Sequence, residues 1–162
     1  FYDQDGDIVG FDIDLAIEVC ARLGIKLKTV PINWENKEHE LNSGAIDCIW
    51  NGMSVDSARA SSMSLSDPYL KNGMYFVVKD SSLANMDSLM GKRIALQKGS
   101  TSQDHLVTSK IGMSAKEIIA FEDNLKALAA LDSGDVDVVY VDEVIAKYLI
   151  YKYKKEYFFS LL

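Results

Sequence analysis

The strongest constraint on the fold is a ten-residue motif that occurs twice, ninety positions apart (131 minus 41). Residues 41–50 are LNSGAIDCIW and residues 131–140 are LDSGDVDVVY, so both copies contain Leu-x-Ser-Gly-x-x-Asp followed by an apolar run. The glycines, Gly44 and Gly134, tolerate the positive φ that ends many helices. The apolar run is typical of a strand that is buried on both faces. The duplication therefore predicts two similar α/β lobes.

The first half of the chain alternates between helical and strand-like patterns. Apolar residues at helical spacing predict a helix over residues 12–23, with Gly24 at its C-terminal end. Residues 25–30 alternate as a strand does. A second helix is predicted over residues 35–42, and a short buried strand over residues 46–50. Helices and strands are therefore predicted to alternate in this half.

The second half repeats this alternation with short connections. Strands are predicted over residues 93–97, 117–121 and 136–140, and helices over 101–110 and 124–132. Alternating elements of this kind favour parallel sheets covered by helices. We therefore expect an α/β protein with a first lobe at residues 1–78 and a second lobe, with a helical tail, at 79–162. Residues 74–80 are the expected strand-like crossover between them.

Charge and motif content argue against several functions. The net charge of −7 does not suit nucleic acid as the main partner, because phosphate binding needs clustered Lys and Arg. No run approaches ~18 apolar residues, so no membrane span is predicted. His39 and His105 lie in polar helical segments without a nucleophile motif or a suitably spaced second ligand, so we predict neither catalysis nor a metal site. Cys20 and Cys48 lie among apolar neighbours, and we expect buried free thiols.

Ligands of open parallel sheets bind at the carboxyl ends of the strands, which directs attention to the residues that follow each predicted strand. Residues 99–102 form either an anion-binding turn or an ordinary helix N-cap. Arg59 offers a planar fork that matches a carboxylate, although an isolated Arg is usually a surface residue. Asp142 is a candidate ligand or an N-cap, and Trp34 a candidate aromatic platform or core residue. Together these groups suit a zwitterion.

Five segments of the chain resemble those of one known family. They are GFDIDLA (10–16), ELNSGAIDCIWNGMSVDSAR (40–59), LSDPYLKNG (65–73), GKRIALQKGST (91–101) and ALAALDSGDVDVVYVDE (127–143). Along essentially its whole length the chain resembles the extracytoplasmic solute-binding proteins of polar amino-acid ABC transporters, bacterial solute-binding protein family 3. The resemblance implies the type II periplasmic-binding-protein fold, with a mainly parallel, helix-flanked sheet in each lobe and a ligand cleft between the lobes.

The resemblance also implies roles for individual residues. Trp34 would stack against the ligand side chain. Arg59 would clasp the α-carboxylate, with the amide of Thr101 completing the clasp. Asp142 would bind the α-ammonium group. Further contacts are implied for the Gly52 backbone, the Ser54 hydroxyl, and the selectivity positions Asn51 and Gln97.

The function implied by the resemblance is capture of an amino acid outside the cytoplasmic membrane, hinge closure around it, and delivery to an ABC transporter permease. The expected location is the periplasm, or the cell surface as a lipoprotein of a Gram-positive bacterium. No cofactor and no reaction are expected. Two alternatives share the fold, namely the sensing domain of a membrane receptor or kinase and a cyclohexadienyl-dehydratase-like enzyme.

Compared with the family pattern, the chain is expected to be a fragment. The family's first strand would precede Phe1, and its return segment would follow Leu162. A lipid anchor or export signal would be lost with the upstream part. We expect the apolar surface so exposed to cause self-association, with a contribution from the tail residues Tyr157, Phe158, Phe159, Leu161 and Leu162. We also expect weak amino-acid binding, because a single crossover holds the lobes.

Overall fold

The computed structural model describes residues 1–3, 5–154 and 156–161. The chain divides into a first unit, Phe1–Leu70, and a second unit, Lys71–Leu162. The helices described in the first unit are α1 (Phe11–Leu23), α2 (Lys37–Asn42) and α3 (Ser57–Ser62). The second unit contains strands β1 (Met74–Val78), β2 (Arg93–Gln97), β3 (Glu117–Phe121), β4 (Val138–Asp142) and β5 (Phe158–Leu161), and helices α4 (Thr101–Thr108), α5 (Lys110–Ser114), α6 (Asn124–Ser133) and α7 (Glu143–Tyr153). Short 3₁₀ turns cover Trp34–Asn36, Ser81–Leu83 and Met86–Leu89.

Helix α1 confirms the prediction for residues 12–23. Asp12 and Asp14 lie in its first turn, where negative charge is favourable. At the other end Gly24 has a φ of 67°, and the N–H of Ile25 donates to the Cys20 carbonyl at 3.0 Å. This arrangement satisfies carbonyl groups at the end of the helix and explains the glycine.

The strands predicted over residues 25–30 and 46–50 are not formed. Residues 25–30 are exposed and without regular structure, and the β-pairing described in the first unit is a single bridge between Tyr2 and Ile8. A strand obtains its backbone hydrogen bonds from a neighbouring strand. In the second unit the motif strand β4 has such neighbours in β1 and β2, whereas neither segment of the first unit has one among the described residues. The alternation predicted for this half is therefore wrong in its strands.

The second unit forms one five-stranded sheet in the order β3-β2-β4-β1-β5. Strand β2 pairs in parallel with β3 and with β4, and β1 pairs antiparallel with β4 and β5. The strands predicted at 93–97 and 117–121 are confirmed, while β4 begins two residues later than predicted, at Val138. The α/β fold class is confirmed, and the sheet is mixed because β1 runs against its neighbours.

The crossover predicted over residues 74–80 is a strand, β1, and it belongs to the sheet of the second unit. The predicted boundary between the lobes follows Val78, whereas the observed division follows Leu70. Strand β1 lies between these two positions. The predicted helix over 101–110 is divided at Ser109, whose hydroxyl accepts a 3.0 Å hydrogen bond from the Gly112 N–H and so begins α5.

Two apolar layers cover the faces of this sheet. Val77 packs with residues of α6 and α7, whereas its neighbours Phe76 and Val78 pack with Leu106 of α4 and Ile111 of α5. The alternation follows from the period of two in a strand. Burial of each large side chain contributes about 1.5–3 kcal/mol to stability. The second unit therefore has a core on both faces of the sheet.

The tail pairs with the sheet edge. Strand β5 lies antiparallel to β1, and the half-buried Tyr157 donates from its hydroxyl to Asp132 at 2.6 Å. Of the tail residues predicted to expose apolar surface, Leu162 and the side chains of residues 158–161 lie outside the described part of the structure.

Candidate functional site

Arg59 is the most strongly constrained of the candidate residues in the first unit. Its side chain is only 7% exposed. The Nη1 atom donates to the Ser54 carbonyl at 2.8 Å, and Nε lies 3.4 Å from Asp56 Oδ2. Asp56 also caps α3 by accepting from the Arg59 N–H at 2.8 Å. A buried guanidinium must be paired to be tolerated, and here the loop before α3 supplies the partners.

The loop at residues 51–54 is tied to α1 by Tyr69. Its hydroxyl lies 2.8 Å from the Asn51 carbonyl oxygen and 2.6 Å from Asp12 Oδ1, and its ring stacks with Phe11. Burial and the Asp12 carboxylate raise the pKa of Tyr69, so the phenol stays protonated. Tyr69 was not among the predicted site residues, although it lies in the family-like segment LSDPYLKNG (65–73). The Asn51 side chain and Gly52 are exposed, and Ser54 is half-buried.

Trp34 begins a 3₁₀ turn and is half-buried. The ammonium group of Lys37 lies 4.9 Å from the centroid of the indole ring and donates to the Trp34 carbonyl at 3.3 Å. Lys37 is itself buried, which its sequence context gave no reason to expect. The contact is a cation–π interaction, and it fixes the ring within the first unit.

The turn at residues 99–102 precedes α4 in the second unit. Gly99 has a φ of 65°, and its N–H donates to Gln103 Oε1 at 2.8 Å. The Ser100 hydroxyl donates to the Gln97 carbonyl at 2.6 Å and makes no capping bond to α4. Thr101 and Ser102 are buried. The ordinary side-chain N-cap is thus not formed, and the hydroxyl instead holds the turn to the end of β2.

Both polar atoms of the Gln97 side-chain amide are hydrogen-bonded. Its Oε1 accepts from Asn124 Nδ2 at 3.1 Å, and its Nε2 donates to the Glu122 carbonyl at 3.3 Å. The orientation of the side chain is consequently fixed by the loop before α6. Asn124 and Glu122 are two further residues that the sequence analysis did not single out.

Asp142 is the last residue of β4 and occupies the N-cap position of α7, but its side chain makes no capping bond. Its Oδ1 accepts a hydrogen bond from the side-chain amide of Asn72. Burial and the charge of Asp142 raise the pKa of Tyr140 to about 12. Strands β2 and β4 are adjacent and parallel, and Gln97 and Asp142 are their last residues. Both residues therefore lie at the carboxyl ends of the strands, on the same side of the sheet.

The chain is similar to proteins of one family. The sequence profile of the bacterial extracellular solute-binding proteins, family 3, matches residues 1–109. The chain belongs to this family. Its similarity to the lysine/arginine/ornithine-binding periplasmic protein of Escherichia coli is 30% identity over 146 residues, which are 89% of this chain and 56% of that protein. A probable histidine-binding protein of Campylobacter jejuni is also 30% identical, over 90% of this chain and 56% of its own length.

Solved structures of family members have the same fold. An ABC uptake transporter substrate-binding protein from Streptococcus pneumoniae with bound histidine has a TM-score of 0.94 at 32% identity, covering 99% of this chain and 68% of that one. Holo ArgBP from T. maritima has a TM-score of 0.87 at 32% identity, over 99% and 70%. The type II periplasmic-binding-protein fold is therefore confirmed. The chain spans just over half the length of the curated relatives it matches.

The histidines and cysteines lie outside the candidate ligand residues. His39 and His105 are exposed. Both cysteines are free thiols, as expected, but Cys20 is half-buried and Cys48 is exposed, so the expectation that they are buried is wrong. Segment 46–50, which contains Cys48, forms no strand. Within residues 1–3, 5–154 and 156–161 no cluster of His, Cys, Asp and Glu could hold a metal ion, and no helix is long and apolar enough to cross a membrane.

Proposed function

We propose that the chain binds a free amino acid outside the cytoplasmic membrane for delivery to an ABC transporter permease. Membership of the solute-binding family supports this function, as do relatives whose names specify binding of histidine or of lysine, arginine and ornithine. In this proposal the protein is located in the periplasm, or is anchored at the cell surface as a lipoprotein. The protein acts as a binding protein and not as an enzyme.

The observation that carries the proposal is the buried Arg59 guanidinium, which is held in place by backbone and carboxylate partners of its own loop. In an amino acid the carboxylate is the group that a guanidinium binds with two parallel hydrogen bonds. Asp142 supplies the opposite charge for the α-ammonium group. The buried turn at Thr101 adds a helix N-terminus, which also favours an anion. Ser54 and Gly52 contribute a hydroxyl and backbone groups beside Arg59.

Selectivity for the side chain rests, in this proposal, on Trp34, Asn51 and Gln97. Trp34 offers an aromatic surface that attracts both apolar groups and cations. The Gln97 amide is already oriented by Asn124 and Glu122, so its hydrogen-bonding preference is set before a ligand arrives. Similar solved structures contain bound arginine or bound histidine, which makes these two amino acids the first ligands to test.

Isothermal titration calorimetry with the twenty amino acids tests the function. We expect saturable one-to-one binding of at least one of them, with little heat from the rest. Incubation with prephenate and arogenate provides the enzyme control, and we expect neither to be consumed. Absence of binding across the whole panel, with the folded state verified by circular dichroism, would contradict the proposal.

A further inference from the structure

The carboxylate of Asp142 does not serve the helix that follows it. An aspartate at an N-cap normally accepts from the N–H groups of the first helical turn. Asp142 has backbone angles of −56° and 136° and makes no such bond, although α7 begins at the next residue. The side chain instead accepts from Asn72. The acid therefore accepts from a residue seventy positions earlier in the chain and makes no cap bond to α7.

The segment that carries Asn72 is anchored where β4 meets α7. The Glu143 N–H, which belongs to the first turn of α7, donates to the Gly73 carbonyl at 2.8 Å. Strand β1 then continues from Met74, which pairs with Asp142. The backbone next to both residues of the Asn72–Asp142 bond is thus held by hydrogen bonds, although Asn72 itself precedes β1.

We propose that Asn72 is a positioning residue, which holds the Asp142 carboxylate in the orientation that binds the ligand's α-ammonium group. The inference rests on the proposed function and adds a residue to it. The choice of an amide follows from electrostatics. Lys or Arg at position 72 would neutralise Asp142 and repel the ammonium group, whereas the neutral amide of Asn orients the acid and leaves its negative charge in place.

Asn72 is exposed and lies two residues after the division between the units, outside the apolar core. Its replacement therefore removes a hydrogen-bond donor without creating a cavity. The position allows a substitution whose effect on binding can be separated from an effect on folding.

The test compares the tightest-binding amino acid with its des-amino analogue by calorimetry. For arginine the analogue is 5-guanidinopentanoic acid, and for histidine it is 3-(imidazol-4-yl)propanoic acid. The proteins are the parent, Asn72→Ala, Asn72→Gln, which keeps the amide donor, and Asn42→Ala, which removes an exposed Asn of α2 as a matched control. Thermal unfolding of each variant is recorded alongside.

We expect Asn72→Ala to weaken binding of the amino acid about tenfold and to change the affinity of the analogue less than about twofold, because the analogue has no ammonium group. Asn72→Gln is expected to recover part of the loss, and Asn42→Ala to resemble the parent. Equal losses for both ligands, or no loss for either, would overturn the positioning role alone. A parent protein that binds no amino acid would overturn the proposed function, and this inference with it.

Discussion

Arg93 and Asp137, at the start of β2 and just before β4, are joined by two side-chain hydrogen bonds, Nε–Oδ2 at 3.1 Å and Nη2–Oδ1 at 2.7 Å. The Arg93 N–H also donates to Asp137 Oδ2 at 2.9 Å. The same guanidinium donates to the carbonyls of Gly134 and Asp135. Asp137, the aspartate of the second copy of the motif, thus connects the turn after α6 to the beginning of β2.

This pairing predicts different roles for the two copies of the motif. Asp137→Ala is expected to lower the free energy of unfolding by about 1–2 kcal/mol, since it removes a partly exposed, charge-assisted pair. The corresponding residue of the first copy, Asp47, is exposed, and Asp47→Ala is expected to cost less than about 0.5 kcal/mol. Urea denaturation of both variants measures the difference. Equal effects would contradict the role assigned to the Arg93–Asp137 pair.

The same pair predicts a dependence of stability on pH. Hydrogen bonding to Arg93 lowers the pKa of Asp137 below its usual value. The stabilisation is therefore fully present above the unfolded-state pKa of about 3.9 and is lost as the pH falls through the lower folded-state pKa. The stability difference between the parent and Asp137→Asn is expected to shrink below about pH 4. Denaturation curves at pH 6, 4 and 3 provide the check, and a difference that grows on acidification would be inconsistent with it.

Helices α1 and α6 and strands β2 and β3 follow from local sequence, whereas β5 lies in the tail that was expected to be helical. Gly24 and Gly134 end their helices with positive φ, as their positions after apolar periodic segments predict. The start of β4 was predicted two residues early because the Val136 N–H is used at the end of α6, where it donates to the Ala130 carbonyl. An apolar run alone does not reveal that its first residue already has a backbone partner.

The strands of the first unit show the limit of such reasoning. Residues 46–50 and the run within β4 have similar patterns, yet in the part of the chain that the structure describes only the second copy has neighbouring strands to pair with. The partners of the candidate ligand residues were also missed. These contacts depend on the folded path of the chain, and most join residues distant in sequence. They are Lys37 with the Trp34 ring, Tyr69 with Asn51, and Asn72 with Asp142.

Gly112 is a position whose requirement for glycine the sequence did not indicate. A Cβ atom at this residue would lie 1.8 Å from the Leu106 carbonyl oxygen, which is a backbone atom and cannot move alone. Gly112→Ala is expected to lower the free energy of unfolding by about 1–3 kcal/mol through overpacking between α4 and α5. Met113→Ala, at an exposed neighbour in the same helix, is the control. Wild-type stability of Gly112→Ala in thermal denaturation would show that the two helices separate easily.

Trp34→Ala is expected to change which amino acids bind more than it changes the requirement for an α-amino acid. The indole is proposed to contact the ligand side chain, whereas Arg59 and Asp142 are proposed to bind the carboxylate and ammonium groups common to all amino acids. A thermal-shift screen over the twenty amino acids measures the profile. Tyr151→Ala removes an exposed aromatic ring of α7 as the control. A uniform loss for every ligand together with reduced stability would indicate that Trp34 serves packing instead.

Arg59→Ala is expected to weaken amino-acid binding by roughly 3–5 kcal/mol, the range for removing one partner of a buried charge pair. The side chain is buried and fixed by Ser54 and Asp56, so no nearby cation can take its place without rearranging that loop. Calorimetry with the best ligand of the parent gives the change. Arg22→Ala, at an exposed arginine of α1 paired with Glu18, should leave the affinity unchanged. An affinity of Arg59→Ala within about threefold of the parent, less than 1 kcal/mol, would show that this guanidinium does not hold the ligand carboxylate.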